Sequence, residues 1–387
     1  MTGHVGMEEK GDCLVEPIPG PVTVDVATKS EALLGTGLRA VAEETLRALG
    51  AEGGVRVADF GALDYVIAAR IEAVIRAANP EIGAMAVSPG REPSKRDRPR
   101  RSRLYAPGNR PRLLAGIEVH GADCVLLDLE DSVPPAEKDS ARILVKHLLG
   151  AIRFPGEVWA RVNPLEVCGE GDVREILIGR PHGLCLPKAE SANDVERLSE
   201  LLSEREAELG LSDGTTWIMP ILETARGVLH AEEIAGAGER VVAIAFGAED
   251  YTRDVGGVRS RDALLFARSK IVAAAAAAGI QASDTVWSDL DDEDGLAEEC
   301  AHARGLGFDG KGAINPRQLP TIHAAFSPSP EEVERARRVV EAAEAAEATG
   351  SGAVALDGKM IDRPVLDRAK RLIRDAEILT SGGGAGA

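Results

Sequence analysis

Residues 124–131, CVLLDLED, run four apolar side chains straight into Asp128, Leu129, Glu130 and Asp131. The apolar half does not alternate with polar residues, so neither face of this strand is left for water. A parallel strand covered by helices on both sides reads this way. Like charges gathered at the tip of so apolar an element repel one another and lose solvation. A bound cation would relieve that conflict, which places a candidate site at the C-terminal end of a buried strand.

The same pattern recurs along the chain. RLYAP, VWARVN, GLCLPK, TWIMPILE, VVAIAFGAED, TVWSD and GKGAIN are short, mostly apolar runs, separated by longer amphipathic stretches with helical spacing. With CVLLDLED they make eight, the number that closes a (β/α)8 TIM barrel. Polar residues fall at the C-terminal ends of these runs: Asp128 and Glu130, Arg161 and Asn163, Lys188, Glu223, Glu249 and Asp250, Asp289, and Asn315. That end of a barrel holds the active site. A doubly wound sheet is the rival fold, weakened because no G-x-G-x-x-G or P-loop follows any strand.

The chain has 387 residues, 44% apolar and 3% aromatic, with a formal net charge of -18. Few aromatics and an acidic surface argue against nucleic acid and anionic membrane as partners, so an anionic ligand needs a local basic patch. Five scattered cysteines, Cys13, Cys124, Cys168, Cys185 and Cys300, form no C-x-x-C pair and point to a reducing cytoplasmic compartment. No apolar run is long enough for a signal sequence or a bilayer span.

Residues 1–80 read as a small α/β module. VTVDV and VRVADF are its strands, Leu38, Val41, Leu46 and Leu49 line one helix, and Leu63, Val66, Ile67, Ile71, Val74 and Ile75 line another. Residues 79–103 are rich in Pro, Gly, Ser and basic side chains, with the linker proper at 81–100. The barrel occupies 101–326. Residues 327–380 form an extension, opening with Ser329 and Glu332 in capping-box positions and closing its first helix before Gly350, and are expected to pack on a neighbouring subunit. The tail, 381–387, has the composition of a disordered segment.

Glu223 and Asp250 end the fifth and sixth runs, neighbours in a barrel, where two carboxylates suit a hard divalent ion such as Mg²⁺; helix caps or arginine partners are the plainer reading. Asp128 and Glu130 share a strand face and fit a layer of acids around the ion or around Arg161. Arg161 suits a substrate carboxylate, or an ion pair with Glu130 or Asp131, or both. Lys188 and Lys311 raise Schiff-base chemistry, against which stand the early position of Lys311 and the carboxylates that would keep Lys188 protonated. The seven histidines show no H-E-x-x-H spacing. The basic run from Lys95 to Arg103 reads as a solvated linker or as a receiver of ligand phosphates.

LYAPGNRPRLL, GADCVLLDLEDSVPPAEKDSAR, ARVNPL, LPKAES, ILETARGV, FGAEDY, DTVWSD, GFDGKGAINPRQ and LDGKMIDRP together resemble the citrate lyase β subunit and its citramalyl-CoA and malyl-CoA lyase relatives in the HpcH/HpaI aldolase family. GMEEKGDCLVEP and FGALDYVIAARIEAVIRAA resemble the acyl-carrier γ subunit of citrate lyase. The resemblance implies a Mg²⁺-dependent carbon–carbon lyase that cleaves citryl-CoA, or a citramalyl or malyl analogue, to a keto acid such as oxaloacetate and a shorter thioester. It implies Glu223 and Asp250 as metal ligands, Arg161 on the keto-acid half, and Asp128, Glu130 and Asp131 as acids around the ion. Asp362 would be a catalytic acid and base supplied by a neighbour in a homotrimer, although position alone suggests a helix N-cap before Pro364. Lys188, Gly108 and Asn315 would lie along the substrate or CoA.

Where the carrier subunit bears its prosthetic group on a serine, this chain has Lys10 in EKGD, and lysine cannot accept that phosphodiester. A covalent prosthetic group is therefore not expected, and the barrel is expected to act on free acyl-CoA. A non-catalytic carrier or scaffold subunit, working with an α-subunit-like transferase, is the alternative.

Overall fold

The computed structural model describes residues 3–29, 31–348, 354–357 and 359–382. Eight parallel strands close into a barrel: β4 (Ser102–Pro107), β5 (Cys124–Asp128), β6 (Glu157–Arg161), β7 (Gly183–Leu186), β8 (Trp217–Leu222), β9 (Ala243–Phe246), β10 (Gln281–Asp284) and β11 (Gly310–Ala313). They are neighbours in chain order, and β11 returns to β4 with Ala313 opposite Leu104. Preceding them, β1 (Cys13–Ile18), β2 (Val24–Thr28) and β3 (Gly54–Asp59) form a sheet in the order β1-β3-β2. β1 runs antiparallel to β3, completing the small module with a strand that alternation alone did not single out.

Period-two geometry sorts the barrel side chains. On β5, Val125 and Leu127 join the core beneath the helices, while Cys124 and Leu126 join Trp159, Cys185, Met219, Ile221 and Ala245 in the barrel interior. By the same alternation Asp128, Arg161 and Glu223 follow the inward series 126, 159 and 221 to the top of the barrel.

The basic run is solvated only at its start, where Lys95 and Arg96 are exposed, and its later cations lie far from that top. Arg100 is buried at the barrel floor, where Nε lies 2.6 Å from Glu157 Oε2, and Arg103 is buried beside it and donates to the Arg100 carbonyl at 3.0 Å. Arg101 chelates Asp123 at 2.7 and 2.8 Å. Arg100 and Arg101 neutralise acids at the end opposite the mouth, and Arg103 is spent there on a backbone carbonyl, so these cations do not receive ligand phosphates at the mouth.

The seventh strand also differs from expectation. It is Gln281–Asp284, and TVWSD lies in the loop after it, with Asp289 exposed and accepting the Asp291 N–H at 3.1 Å. Asp284 is buried against Arg268 and against Lys311 Nζ at 2.6 Å, so this strand's polarity is internal charge pairing, which hides its strand character. That pairing also explains Lys311, which sits below the mouth as Asp284's partner.

The module is tied to the barrel through helix Asp64–Ala78, whose Tyr65, Val66, Ala69 and Ala73 belong to the barrel's own core. Beyond the barrel, Ser329 and Glu332 form the expected reciprocal cap at 2.8 and 3.2 Å, opening helix Pro330–Ala348. This helix packs on Arg363–Gly382 through Ala336, Val339 and Ala369, with the hairpin β12 (Val354–Leu356) and β13 (Lys359–Ile361) between them. Gly350 and residues 383–387 lie outside the described residues.

Candidate active site

A cavity of about 570 Å³ opens at the C-terminal end of the barrel, lined among others by Tyr105, Asp128, Arg161, Glu223, Gly247 and Asp250. Arg161 projects inward from the end of β6 and takes Asp128 on two edges, Nε to Oδ1 at 2.6 Å and Nη2 to Oδ2 at 2.8 Å. Its Cζ lies over the Tyr105 ring, 5.6 Å from the centroid. The fork therefore grips Asp128, leaving Nη1 as the side nearest Glu130 Oε2 at 2.9 Å, with Asp131 at 3.7 Å. Burial opposes the charge on Arg161, but Asp128 and Glu130 hold its pKa well above the ordinary value. Burial likewise raises Asp128, and Arg161 outweighs it, leaving that carboxyl below its usual range.

Glu130 lies just past the end of β5, buried, with Lys188 Nζ on Oε1. Lys188 has a left-handed backbone, φ 51°, uncommon for a residue with a side chain. That turn sends its N–H to Glu223 Oε1 at 2.8 Å while its amine reaches Glu130, so one residue holds two carboxylates. Burial lowers the amine's pKa, and Glu130 and Asp131 more than restore it; the protonated, ion-paired amine is a poor nucleophile.

Glu223 follows β8 and is buried, and its other oxygen, Oε2, has no hydrogen-bond partner among the described residues. Gly247 follows β9 directly beside it: a Cβ there would come within 2.5 Å of Glu223 Cβ and 2.6 Å of Oε2. Burial first, then the charges of Glu130 and Asp250, push Glu223 up to about 8. Asp250 does not end a strand, because β9 stops at Phe246. It occupies the first turn of helix Ala248–Asp254, whose Ala248 N–H donates to Thr285 Oγ1 at 3.2 Å. Asp250 also meets Arg253, one turn along, at 2.5 Å.

Among the described residues no cluster of three or more His, Cys, Asp or Glu side chains forms a complete metal cage. The two-carboxylate donor set nevertheless fits a hard cation that keeps positions for water and substrate. The Glu223 Oε2 atom, unpartnered among the described residues in a cavity that Asp250 also lines, is the observation that supports this fit.

Other expected residues stand apart. Asp131 lines the cavity only at its rim, 58% exposed. Asn315 spends its side chain accepting the Arg317 N–H at 3.0 Å as a helix cap, and it is absent from the cavity lining, which Gly312 and Ile314 supply. Gly108 is a packing necessity, since a Cβ would meet the Asp128 carbonyl at 2.8 Å and Val145 at 2.9 Å. Asp362 is exposed and accepts the Val365 N–H at 3.1 Å, the N-cap reading, and it too is absent from the cavity lining. Gly247, Thr285 and Tyr105 were not picked out as site residues. FGAED and LYAP carried two of them, but a supporting glycine or ring leaves no chemical signature in a sequence.

Fold and mouth together describe a barrel whose cavity gathers carboxylates and a caged arginine. Residues 101–316 match the HpcH/HpaI aldolase/citrate lyase model, and the chain belongs to that family, a group of carbon–carbon lyases. Residues 1–78 match the family described as malonate decarboxylase delta subunit, an acyl-carrier type. The chain is 43% identical over 288 residues to the citrate lyase subunit beta of Escherichia coli K12, covering 73% of this chain and 95% of that protein. It is 35% identical over 293 residues to human mitochondrial citramalyl-CoA lyase, covering 71% and 85%. Among solved structures, Mycobacterium tuberculosis CitE in complex with magnesium, acetoacetate and coenzyme A matches with TM-score 0.60 and 35% identity, covering 73% of this chain and all of that one. No helix among the described residues is long and apolar enough to cross a membrane.

Proposed function

We propose that the protein cleaves a 3-hydroxyacyl-CoA of the citryl or citramalyl type into a keto acid and a shorter acyl-CoA, with Mg²⁺ held by Glu223 and Asp250. The observation that carries this reading is the buried Glu223, with one oxygen fixed by Lys188 and the other unpartnered at the cavity. The bound ion would act as a Lewis acid toward the substrate's hydroxyl and carboxylate oxygens. Arg161, immobilised by Asp128, meets the keto-acid half from the cavity wall. Lys188 fixes Glu130 and Glu223 relative to each other and keeps the surplus of negative charge tolerable.

In the reaction the bond between the hydroxyl-bearing carbon and the thioester α-carbon breaks. The hydroxyl gives its proton to water in the open cavity as the ketone forms, and the electron pair of the broken bond passes to the α-carbon, which must take up a proton. Asp362 of a neighbouring chain supplies that proton, since Asp362 of the same chain caps its own helix away from the cavity. Such sharing calls for a closed assembly, here a homotrimer, working in the cytoplasm. Substrate is free acyl-CoA, because Lys10 stands where a carrier needs a hydroxyl. An α-subunit-like transferase is then not required for turnover.

A panel of citryl-, citramalyl- and malyl-CoA, assayed for keto-acid release with Mg²⁺ present, tests the reading. One member should turn over, and a chelator should abolish the activity. Full activity after exhaustive chelation would overturn the metal assignment, and inertness towards the whole panel would overturn the substrate class.

A further inference from the structure

The segment 7–12 of the N-terminal module lies against the barrel mouth. Buried Asp12 chelates Arg70 at 3.0 and 2.9 Å, and Arg70 reaches the Asn109 carbonyl, just past β4, at 3.4 Å. From the barrel side, Arg110 donates to Met7 Sδ at 2.9 Å and meets Glu9 at 3.5 Å. Gly11, at φ +90°, sits so close that a Cβ would lie 3.6 Å from Arg112 Cα, and Leu113 next to it lines the cavity. Lys10, exposed, is thereby carried to the rim.

The docking is built to stay. Glu72 of helix Asp64–Ala78 is fully buried between Lys146 at 2.5 Å, His147 at 2.6 Å and Arg76 at 3.0 Å, and Lys146 also holds Glu175 at 2.7 Å. A module that swung away would strip these buried charges of their partners, a cost far above thermal energy.

The rim's charges are unevenly used. Arg161, Lys188, Arg253 and Arg259 each meet a carboxylate. Lys10, Arg112 and Arg317 are exposed, and none of their side chains has a carboxylate partner among the described residues. They belong to one sector, because Arg112 follows β4, Arg317 follows the adjoining β11, and Lys10 sits on the β4 loop. Three such cations gathered in one sector of the mouth of a chain of net charge -18 make a local patch that an anion from outside would complete.

We propose that the module is a fixed wall of the entrance, and that Lys10, beside Arg112 and Arg317, binds the phosphate groups at the far end of a CoA thioester whose acyl end occupies the cavity. This rests on the lyase reading above. It turns a carrier-like fold into part of a binding site for a diffusible substrate.

The test compares the substrate's CoA thioester with its pantetheine thioester, which lacks the phosphates, in full-length wild type, Lys10→Glu, Lys10→Arg and Lys95→Glu. Lys95 is exposed and lies at the floor of the barrel, where its carbonyl accepts Arg100 Nη2 at 3.0 Å. Lys10→Glu should raise KM for the CoA thioester about tenfold, as loss of a charge-assisted phosphate contact does, while moving KM for the pantetheine thioester less than about twofold. Lys10→Arg should restore the wild-type KM, and Lys95→Glu should match it. An unchanged KM in Lys10→Glu, or an equal rise for both thioesters, overturns the proposal. If wild type cleaves neither thioester, the lyase reading has failed; calorimetric titration with CoA still decides this one, and equal affinities in wild type and Lys10→Glu overturn it.

Discussion

Glu223 shows how one side chain can be set up by neighbours that do no chemistry themselves. Lys188 turns through a left-handed conformation to fix one carboxylate oxygen, and Gly247 leaves room for the other. Gly247→Ala should therefore cost at least about tenfold in kcat/KM, since a displacement of roughly an ångström at a site suffices; full activity in that variant would contradict the role given to the gap. The raised pKa, about 8, has a sign that can be worked through. From its ordinary 4.5 up to about 8, folding holds a proton that the unfolded chain releases, so the metal-free protein loses stability as pH rises through that window. A cation that needs the carboxylate must expel that proton. Magnesium binding at pH 6.5 should release about one proton and tighten as pH approaches 8, with release fading above that. Calorimetry in two buffers of different ionisation enthalpy checks this, and binding without proton release would sink it. Asp128 and Glu223 were readable in the sequence because charge at the tip of an apolar strand is conspicuous, whereas Asp250, read as a strand end, lies in the first turn of a helix. Lys188's backbone turn and the Gly247 gap were not, because they concern shape rather than chemistry.

At the scale of elements, apolar periodicity served well where burial is apolar and misled where it is ionic. Runs such as CVLLD and AIAF declare themselves, and QASD does not, because Asp284 is buried against Arg268 and Lys311. The basic run before β4 misled for the same reason: Arg100 is paired with Glu157 and Arg101 with Asp123 at the barrel floor. Helix Asp64–Ala78 joins both cases. Its apolar stripe was legible, yet Glu72 in its middle looks like an exposed residue in the sequence and is the hub of the module's attachment. Burial pushes Glu72 up, while His147 and Lys146 together pull it down to about 2 from 4.5. A depressed carboxyl stabilises the fold at pH values above its unfolded pKa, and that contribution is lost as pH falls through 4.5 towards 2. Glu72→Gln leaves Lys146 with Glu175 alone and should destabilise by about 3 kcal/mol at pH 7, as breaking a buried pair does. The difference from wild type should shrink by more than half at pH 3. Urea unfolding at the two pH values measures this, and a pH-independent difference would show that Glu72 acts through packing rather than charge.

For the whole molecule the question is how many chains make one site. Asp362 begins the last helix of an arm held together by its own small core, with Arg371–Asp309 and Arg304–Glu332 among its ties to the barrel. In its own chain it caps that helix and is absent from the cavity lining. If the acid comes from a neighbour, a site is composite, and inactivating substitutions in its two halves must complement. Asp362→Asn and Glu223→Gln should each reduce activity by at least about a hundredfold alone, the scale of a lost general acid or metal ligand. Co-expressed in equal amounts they form mixed assemblies in a closed ring. A site then works when its barrel comes from the Asp362→Asn chain and its neighbour's arm from the Glu223→Gln chain, so about a quarter of wild-type activity should return. Sharing of this kind cannot occur if barrel and arm of the same chain form the site, because every barrel that keeps Glu223 would then be served by an arm carrying the Asp362→Asn substitution. Mixed oligomers, verified by two affinity tags and remaining inactive, would therefore place the acid elsewhere and leave Asp362 as the helix cap that its own chain makes of it.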